Sequence, residues 1–215
     1  MSEEENKKPE ENKKPDEQQG LDIQGHIKIF DPETDEVYVD KKNAIHYENF
    51  SVALAQSIAN RTTGFIEEMH FGNGGTAVDT TGAITYLTPN AKGDNANLYN
   101  KTYYKSINDQ SSLNTDTARN KITVAHTNGT TYTDLIVTCL LDFGEPAGQQ
   151  AFDNTTTVND TYVFDELGLF SWEGTAGSGK LLTHVIFHPV QKSLNRLIQI
   201  DYTIRIQSLT NFVDV

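Results

Sequence analysis

Between positions 198 and 206 every second residue is large and apolar: Ile198, Ile200, Tyr202, Ile204 and Ile206, with Gln199, Asp201, Thr203 and Arg205 between them. Successive side chains of a β-strand point to opposite faces, so this alternation defines a strand with one buried face and one wet face. A helix would scatter the same residues around its circumference. The chain is therefore committed to an antiparallel sheet, and the rest of the sequence must supply its other strands.

It does so repeatedly. Ile23, Gly25, Ile27 and Ile29 alternate with polar neighbours, and Asp31-Pro32-Glu33-Thr34-Asp35 turns the chain into a partner strand at 36–40, a hairpin by composition and period. Asn128-Gly129, the strongest short hairpin signal, separates strands at 121–126 and 130–143. Leu135, Val137, Cys139, Leu141 and Phe143 share one face of the second. Further strands are predicted at 65–71, 102–107, 162–172, 181–187 and 196–207. One helix interrupts them near residues 49–60, with Phe50, Leu54 and Ile58 at i, i+4 and i+8 and Asn49 as its cap. These elements predict a mainly β fold: an antiparallel β-sandwich of about eight strands with one short α-helix.

Residues 1–20 stand apart. Glu4-Glu5-Asn6-Lys7-Lys8-Pro9 is repeated as Glu10-Glu11-Asn12-Lys13-Lys14-Pro15, with no core-forming side chain, so this arm is expected to be disordered alone or ordered by a partner. The segment 21–215 is expected to form a single domain. The arm carries −3 of the net charge of −13. An acidic body repels phosphate backbones, which argues against direct nucleic-acid binding. One cysteine, Cys139, precludes an internal disulfide framework, and its apolar neighbours mark it as a core residue. There is no apolar run of eighteen residues and no leader-like apolar stretch at the N-terminus, so synthesis in the cytoplasm without membrane insertion is expected.

Several chemical patterns resolve into plainer readings. Gly174-Thr175-Ala176-Gly177-Ser178-Gly179-Lys180 imitates a phosphate-binding loop, but Leu181 stands where a magnesium-binding hydroxyl is needed and a strand follows instead of a helix. His184 and His188 are four apart, which on a strand is about 13 Å and too far for one metal ion. The Asp- and Asn-rich segments 93–97 and 154–160 lack EF-hand spacing and read as solvated turns. Asp165 and Glu166 are adjacent and so face opposite sides of a strand, unlike a glycosidase pair. One of them is expected to cap backbone amides or to meet Arg196 or Arg205. No cofactor, metal or catalytic set is assigned.

Two motifs remain. Phe71-Gly72-Asn73-Gly74-Gly75-Thr76 reads as a tight turn with positive φ at several residues. Phe164-Asp165-Glu166-Leu167-Gly168-Leu169-Phe170 reads as a buried strand, with Leu167 and Leu169 in the core and Gly168 at a point of close approach. Their order, with Asn43-Ala44-Ile45-His46 and the helix before them and His188-Pro189 after, resembles structural proteins of tailed bacteriophages. Virion proteins of large marine phages and the particle-attachment domain of some tail-fibre proteins are similar over about residues 22–207. In that attachment domain a glycine-rich turn precedes a Glu-(Ile/Leu)-Gly-Leu-(Phe/Tyr) strand.

The resemblance implies a non-enzymatic virion component, assembled as an oligomer or ring on the neck, tail or baseplate. Its partners would be other virion proteins and copies of itself, with no membrane. The tail-fibre module continues into a receptor-binding region while this sequence stops at Val215, so a compact particle component without host recognition is expected. Candidate subunit contacts are Lys7, Lys8, Lys13 and Lys14 in the arm, Gly72, Asn73, Gly74, Gly75 and Thr76 in the first glycine run, and Gly174, Gly177 and Gly179 in the second. The alternatives are a capsid decoration protein and, in a different class, a protein that binds or degrades host glycans. The last needs an exposed aromatic platform, and Trp172, the single tryptophan, is expected in the core.

Overall fold

The computed structural model describes residues 20–146 and 161–209. The order of elements is β1 (Leu21–Phe30), β2 (Val37–Ile45), α1 (Tyr47–Ile58), β3 (Ile66–Gly72), β4 (Thr76–Val78) and β5 (Ile84–Tyr86). It continues with β6 (Lys101–Ser106), β7 (Lys121–Ala125), β8 (Tyr132–Leu141), β9 (Thr161–Ser171), β10 (Thr183–Ser193) and β11 (Ile198–Ser208). The fold is mainly β and antiparallel with one helix, as the sequence predicts.

Nine strands join in the order β6-β3-β9-β10-β2-β1-β11-β8-β7, and the sheet curls as a half-barrel. Its halves meet at a narrow seam, where β10 and β2 pair only through Thr183 with Ile45 and His184 with Ala44. The expected sandwich layers are thus two halves of one bent sheet sharing one core. Ile27, Val137, Cys139 and Ile200 enter that core from one half, and Phe71, Leu167, Leu169 and Phe187 from the other. β4 and β5 form a separate two-stranded hairpin that periodicity does not reveal, since each strand has only three residues.

The alternation in β11 does what it predicts: Ile198, Ile200, Tyr202 and Ile204 are fully buried. Ten consecutive pairs, Leu21 with Ser208 through Phe30 with Gln199, fix β1 against it. Phe143 departs from its expected face. β8 ends at Leu141, and Phe143 is half exposed in the following turn.

The helix begins earlier than expected. His46, not Asn49, is its N-cap, with Nδ1 accepting the backbone N–H of Asn49 at 3.2 Å. Asn49 is instead buried inside the first turn, where its Nδ2 donates to Leu181 O. Phe50 and Ala53 pack on the core, whereas Ile58 in the last turn projects beyond the sheet and is 77% exposed.

Candidate functional site

Strand β9 is buried from Phe164 to Ser171 because it lies between β3 and β10, with both faces covered. A carboxylate in such a strand must be met by donors, since an unpaired buried charge is strongly destabilising. Asp165 and Glu166 are 3% and 0% exposed, and most of the donors are backbone amides.

Asp165 Oδ1 accepts the N–H of Gly75 at 2.9 Å. Its Oδ2 accepts the N–H of Thr76 at 2.9 Å and also the Thr76 hydroxyl. Glu166 Oε1 accepts the N–H groups of Gly74 at 3.1 Å and Asn100 at 2.8 Å. Its Oε2 accepts from Tyr99 N at 2.9 Å and from His184 Nε2 at 3.0 Å. Capping of backbone amides is therefore the role both carboxylates fill. Arg205 binds Asp134 instead, and Arg196 lies over the Tyr38 ring.

Adjacent strand residues ordinarily diverge, yet these two carboxylates end on one glycine run. The reason is an irregularity in the ladder: between Glu166–Ile186 and Phe164–Val190, β10 carries three residues opposite the single Asp165. This bulge at 187–189 reverses the facing of the strands, so Phe164 enters the same core as Leu167 and Leu169.

The glycine run departs from its expected conformation. None of Gly72, Gly74 and Gly75 has positive φ. They are glycines because the chain passes too close for a side chain. A Cβ on Gly72 would lie 2.5 Å from both Asn100 O and Glu166 Oε1, and one on Gly75 would lie 2.9 Å from Ile186 Cγ2. Gly168, by contrast, is the point of close approach anticipated, with Thr183 O and Leu181 Cδ1 against it.

Burial pushes the Asp165 carboxyl above its ordinary range, and the Thr76 and Gly75 donors only partly offset this. Burial also acts upward on Glu166, but the bonds from His184, Asn100 and Tyr99 outweigh it and hold that carboxyl below its ordinary range. His184 Nδ1 accepts the N–H of Asn90 at 2.8 Å, which places the ring proton on Nε2, facing Glu166.

The second glycine loop is held by the same device. Glu68, 2% exposed, accepts the N–H of Gly177 on both oxygens at 2.9 and 3.0 Å and pairs with His70 Nε2 at 2.7 Å. His70 stacks on Phe170 at 3.7 Å between ring centroids, and burial lowers its pKa. Lys101 donates to Gly177 O, and Lys180 pairs with Asp94, so the lysine of the loop that resembles a phosphate site is engaged with a carboxylate. Gly179 packs against Ser171 O, and Gly174 and Gly177 have positive φ. A third buried histidine, His46, bonds Gly93 O at 3.0 Å.

Asp165, Glu166 and Glu68, with His184 and His46, thus fix loop backbones onto the sheet and helix, while His70 supports Glu68 from the side. The closeness of Glu68 to His70 is visible in the sequence, but the loop partners lie up to 109 positions away. Among the described residues, no three His, Cys, Asp or Glu side chains converge as a metal site, and no helix is long and apolar enough to cross a membrane. The arm lysines and the segment 154–160 lie outside the described residues.

A separate opening lies elsewhere. A cleft of about 1050 Å³ lies between α1, the start of β3 and the β7–β8–β11 side of the sheet. Phe50, Phe65, Leu135 and Ile206 make its apolar walls, and Asn108 to Ser112 form a polar rim. Trp172 lines this cleft just beyond the end of β9 and is half-buried, a correction to its expected place in the core.

In comparisons with known proteins the chain matches no family model, no curated protein and no solved structure.

Proposed function

We propose that this chain is a non-enzymatic structural component of a tailed-phage particle, assembling as a homo-oligomer or ring on the neck, tail or baseplate. The observation that carries the reading is the use of the buried acids. Asp165, Glu166 and Glu68 fix glycine loops through backbone amides, an arrangement that stiffens surfaces for docking and directs no reactive group at a substrate. The order of the two motifs along the chain supports the particle assignment.

In this reading the rigid β body presents its edges and loops to neighbours. The first glycine run acts through the hairpin it launches, because Gly72 and Gly75 are themselves buried. The second loop, with Gly174 exposed, contacts a neighbour directly. Lys7, Lys8, Lys13 and Lys14 pair with acids on an adjacent subunit as the arm orders there. Quantitative mass spectrometry of purified particles tests the assignment. A fixed copy number, a small multiple of a ring, supports it, and absence from the particles overturns it. Electron microscopy of labelled particles separates a neck, tail or baseplate position from capsid decoration.

A second reading, glycan binding, is favoured by one observation: Trp172 faces an open cleft rimmed by amides and hydroxyls. Binding on a glycan array that disappears in Trp172→Ala would establish it.

A further inference from the structure

The sequence contains two Asn-Gly dipeptides, Asn73-Gly74 and Asn128-Gly129, and the fold treats them in opposite ways. The dipeptide is chemically labile. Glycine has no Cβ to shield its nitrogen, which can therefore reach the side-chain carbonyl carbon of the asparagine before it. Two freedoms set the rate: the side-chain amide must swing onto the backbone, and the glycine N–H must lose its proton.

At Asn73 both are restrained. Its Oδ1 accepts from Asn100 Nδ2, and its own N–H donates to Asn100 O at 3.2 Å. The Gly74 N–H donates to Glu166 Oε1 at 3.1 Å. A hydrogen bond to a carboxylate is charge-assisted, and the negative charge beside the nitrogen opposes its deprotonation. The chain is also tightly packed here, since a Cβ on Gly74 would lie 2.8 Å from Asn100 Cβ.

At Asn128 neither restraint exists. Asn128 and Gly129 are both exposed in the turn between β7 and β8. Thr130 closes that turn, its N–H and hydroxyl donating to Thr127 O at 3.1 and 2.7 Å. Among the described residues neither the Asn128 side chain nor the Gly129 N–H has a partner. Apart from its chain neighbours, nothing lies within 4 Å of where a Gly129 Cβ would sit.

We propose that Asn128 is a site of spontaneous modification in the folded protein, becoming aspartate and isoaspartate, while the Glu166 clamp keeps Asn73 intact. Gly129 N gives its proton to hydroxide and bonds to Asn128 Cγ. The Cγ–Nδ2 bond breaks, the leaving nitrogen takes a proton from water and departs as ammonia, and a five-membered imide remains. Water opens the imide at Cγ to give aspartate, or at the main-chain carbonyl carbon to give isoaspartate. One water is consumed and one ammonia released. Either product adds a negative charge to the turn, and isoaspartate adds a backbone carbon to the loop that Thr130 closes. β7 is an edge strand paired only with β8, so the lengthened turn loosens the sheet at its margin and leaves the core untouched.

The test ages the full chain in mildly alkaline buffer, folded in one arm and unfolded in guanidinium in the other. Mass spectrometry with electron-transfer fragmentation then reads asparagine, aspartate and isoaspartate at each position. In guanidinium the two sites should react alike, because the dipeptides are the same. In the folded chain Asn128 should keep close to its unfolded rate, and Asn73 should be at least about tenfold slower, the effect of losing one charge-assisted hydrogen bond. Asn128→Gln should abolish the modification at that position and leave Asn73 as slow as before. A folded chain in which Asn128 reacts as slowly as Asn73 overturns the site. One in which Asn73 reacts as fast as Asn128 overturns the protection by the clamp.

Discussion

Glu166 Oε2 accepts the Nε2 proton of His184 at 3.0 Å, while the opposite nitrogen of the same ring accepts the N–H of Asn90 at 2.8 Å. A strand carboxylate is thereby linked through an imidazole to a loop ninety-four residues upstream of that histidine. Both side chains are fully buried, so the connection is a polar network inside the molecule.

Glu166→Gln tests that network. The amide keeps one acceptor but aims an NH₂ group either at the donors Gly74 and Asn100 or at the donors Tyr99 and His184. Hydrogen bonds to a charged group contribute about 1.5–3 kcal/mol each, and stranding their partners adds to the loss. Urea unfolding should show a destabilisation of about 3 kcal/mol or more.

Gly168→Ala should be destabilising without any change of charge. Its Cβ would press on Thr183 O, which is fixed in β10, and lie 2.8 Å from Leu181 Cδ1. Overpacking of this kind costs about 1–3 kcal/mol. Gly20→Ala, whose nearest neighbour would be Leu209 Cδ1 at 3.6 Å, serves as the control and should leave the urea midpoint nearly unchanged.

The strands are legible in the sequence because one face of each meets the core. Alternation locates β11, and Asn128-Gly129 locates the β7–β8 turn. The clamps are not legible, for a physical reason: hydrogen bonds from Gly75 or Asn100 to β9 use backbone amides, which every residue but proline possesses. Only the glycines mark the place, and they signal close approach where positive φ is the simpler expectation. Trp172 lies outside its expected place because a run of strand residues says nothing about where the strand ends, and β9 stops one residue before it.

His70 predicts a pH dependence. Burial lowers its pKa in the folded protein, so it stays neutral there while the unfolded chain binds a proton below about 6.5. The unfolded state therefore binds more protons, and stability falls as pH drops from about 6.5 toward the folded pKa. Urea midpoints at pH 8 and 5.5 should differ more for the wild type than for His70→Gln. An equal difference would assign the dependence to other groups.

Lys192 is fully buried, donates to Ser193 O at 2.8 Å, and has its pKa lowered by burial to about 8. A depressed lysine gives its full stability only above the ordinary value near 10.5, and that contribution is lost as pH falls through about 8. Lys192→Met should therefore raise the urea midpoint at pH 7, and the gain should shrink at pH 10.

The acid pair of β9 holds a loop in place, and amide hydrogen exchange at Gly74, Gly75, Thr76, Tyr99 and Asn100 measures this directly. These amides should exchange slowly in the wild type, and selectively faster in Asp165→Asn and Glu166→Gln while β1 and β11 remain protected. Exchange at the rate of an open loop in the wild type would contradict that role.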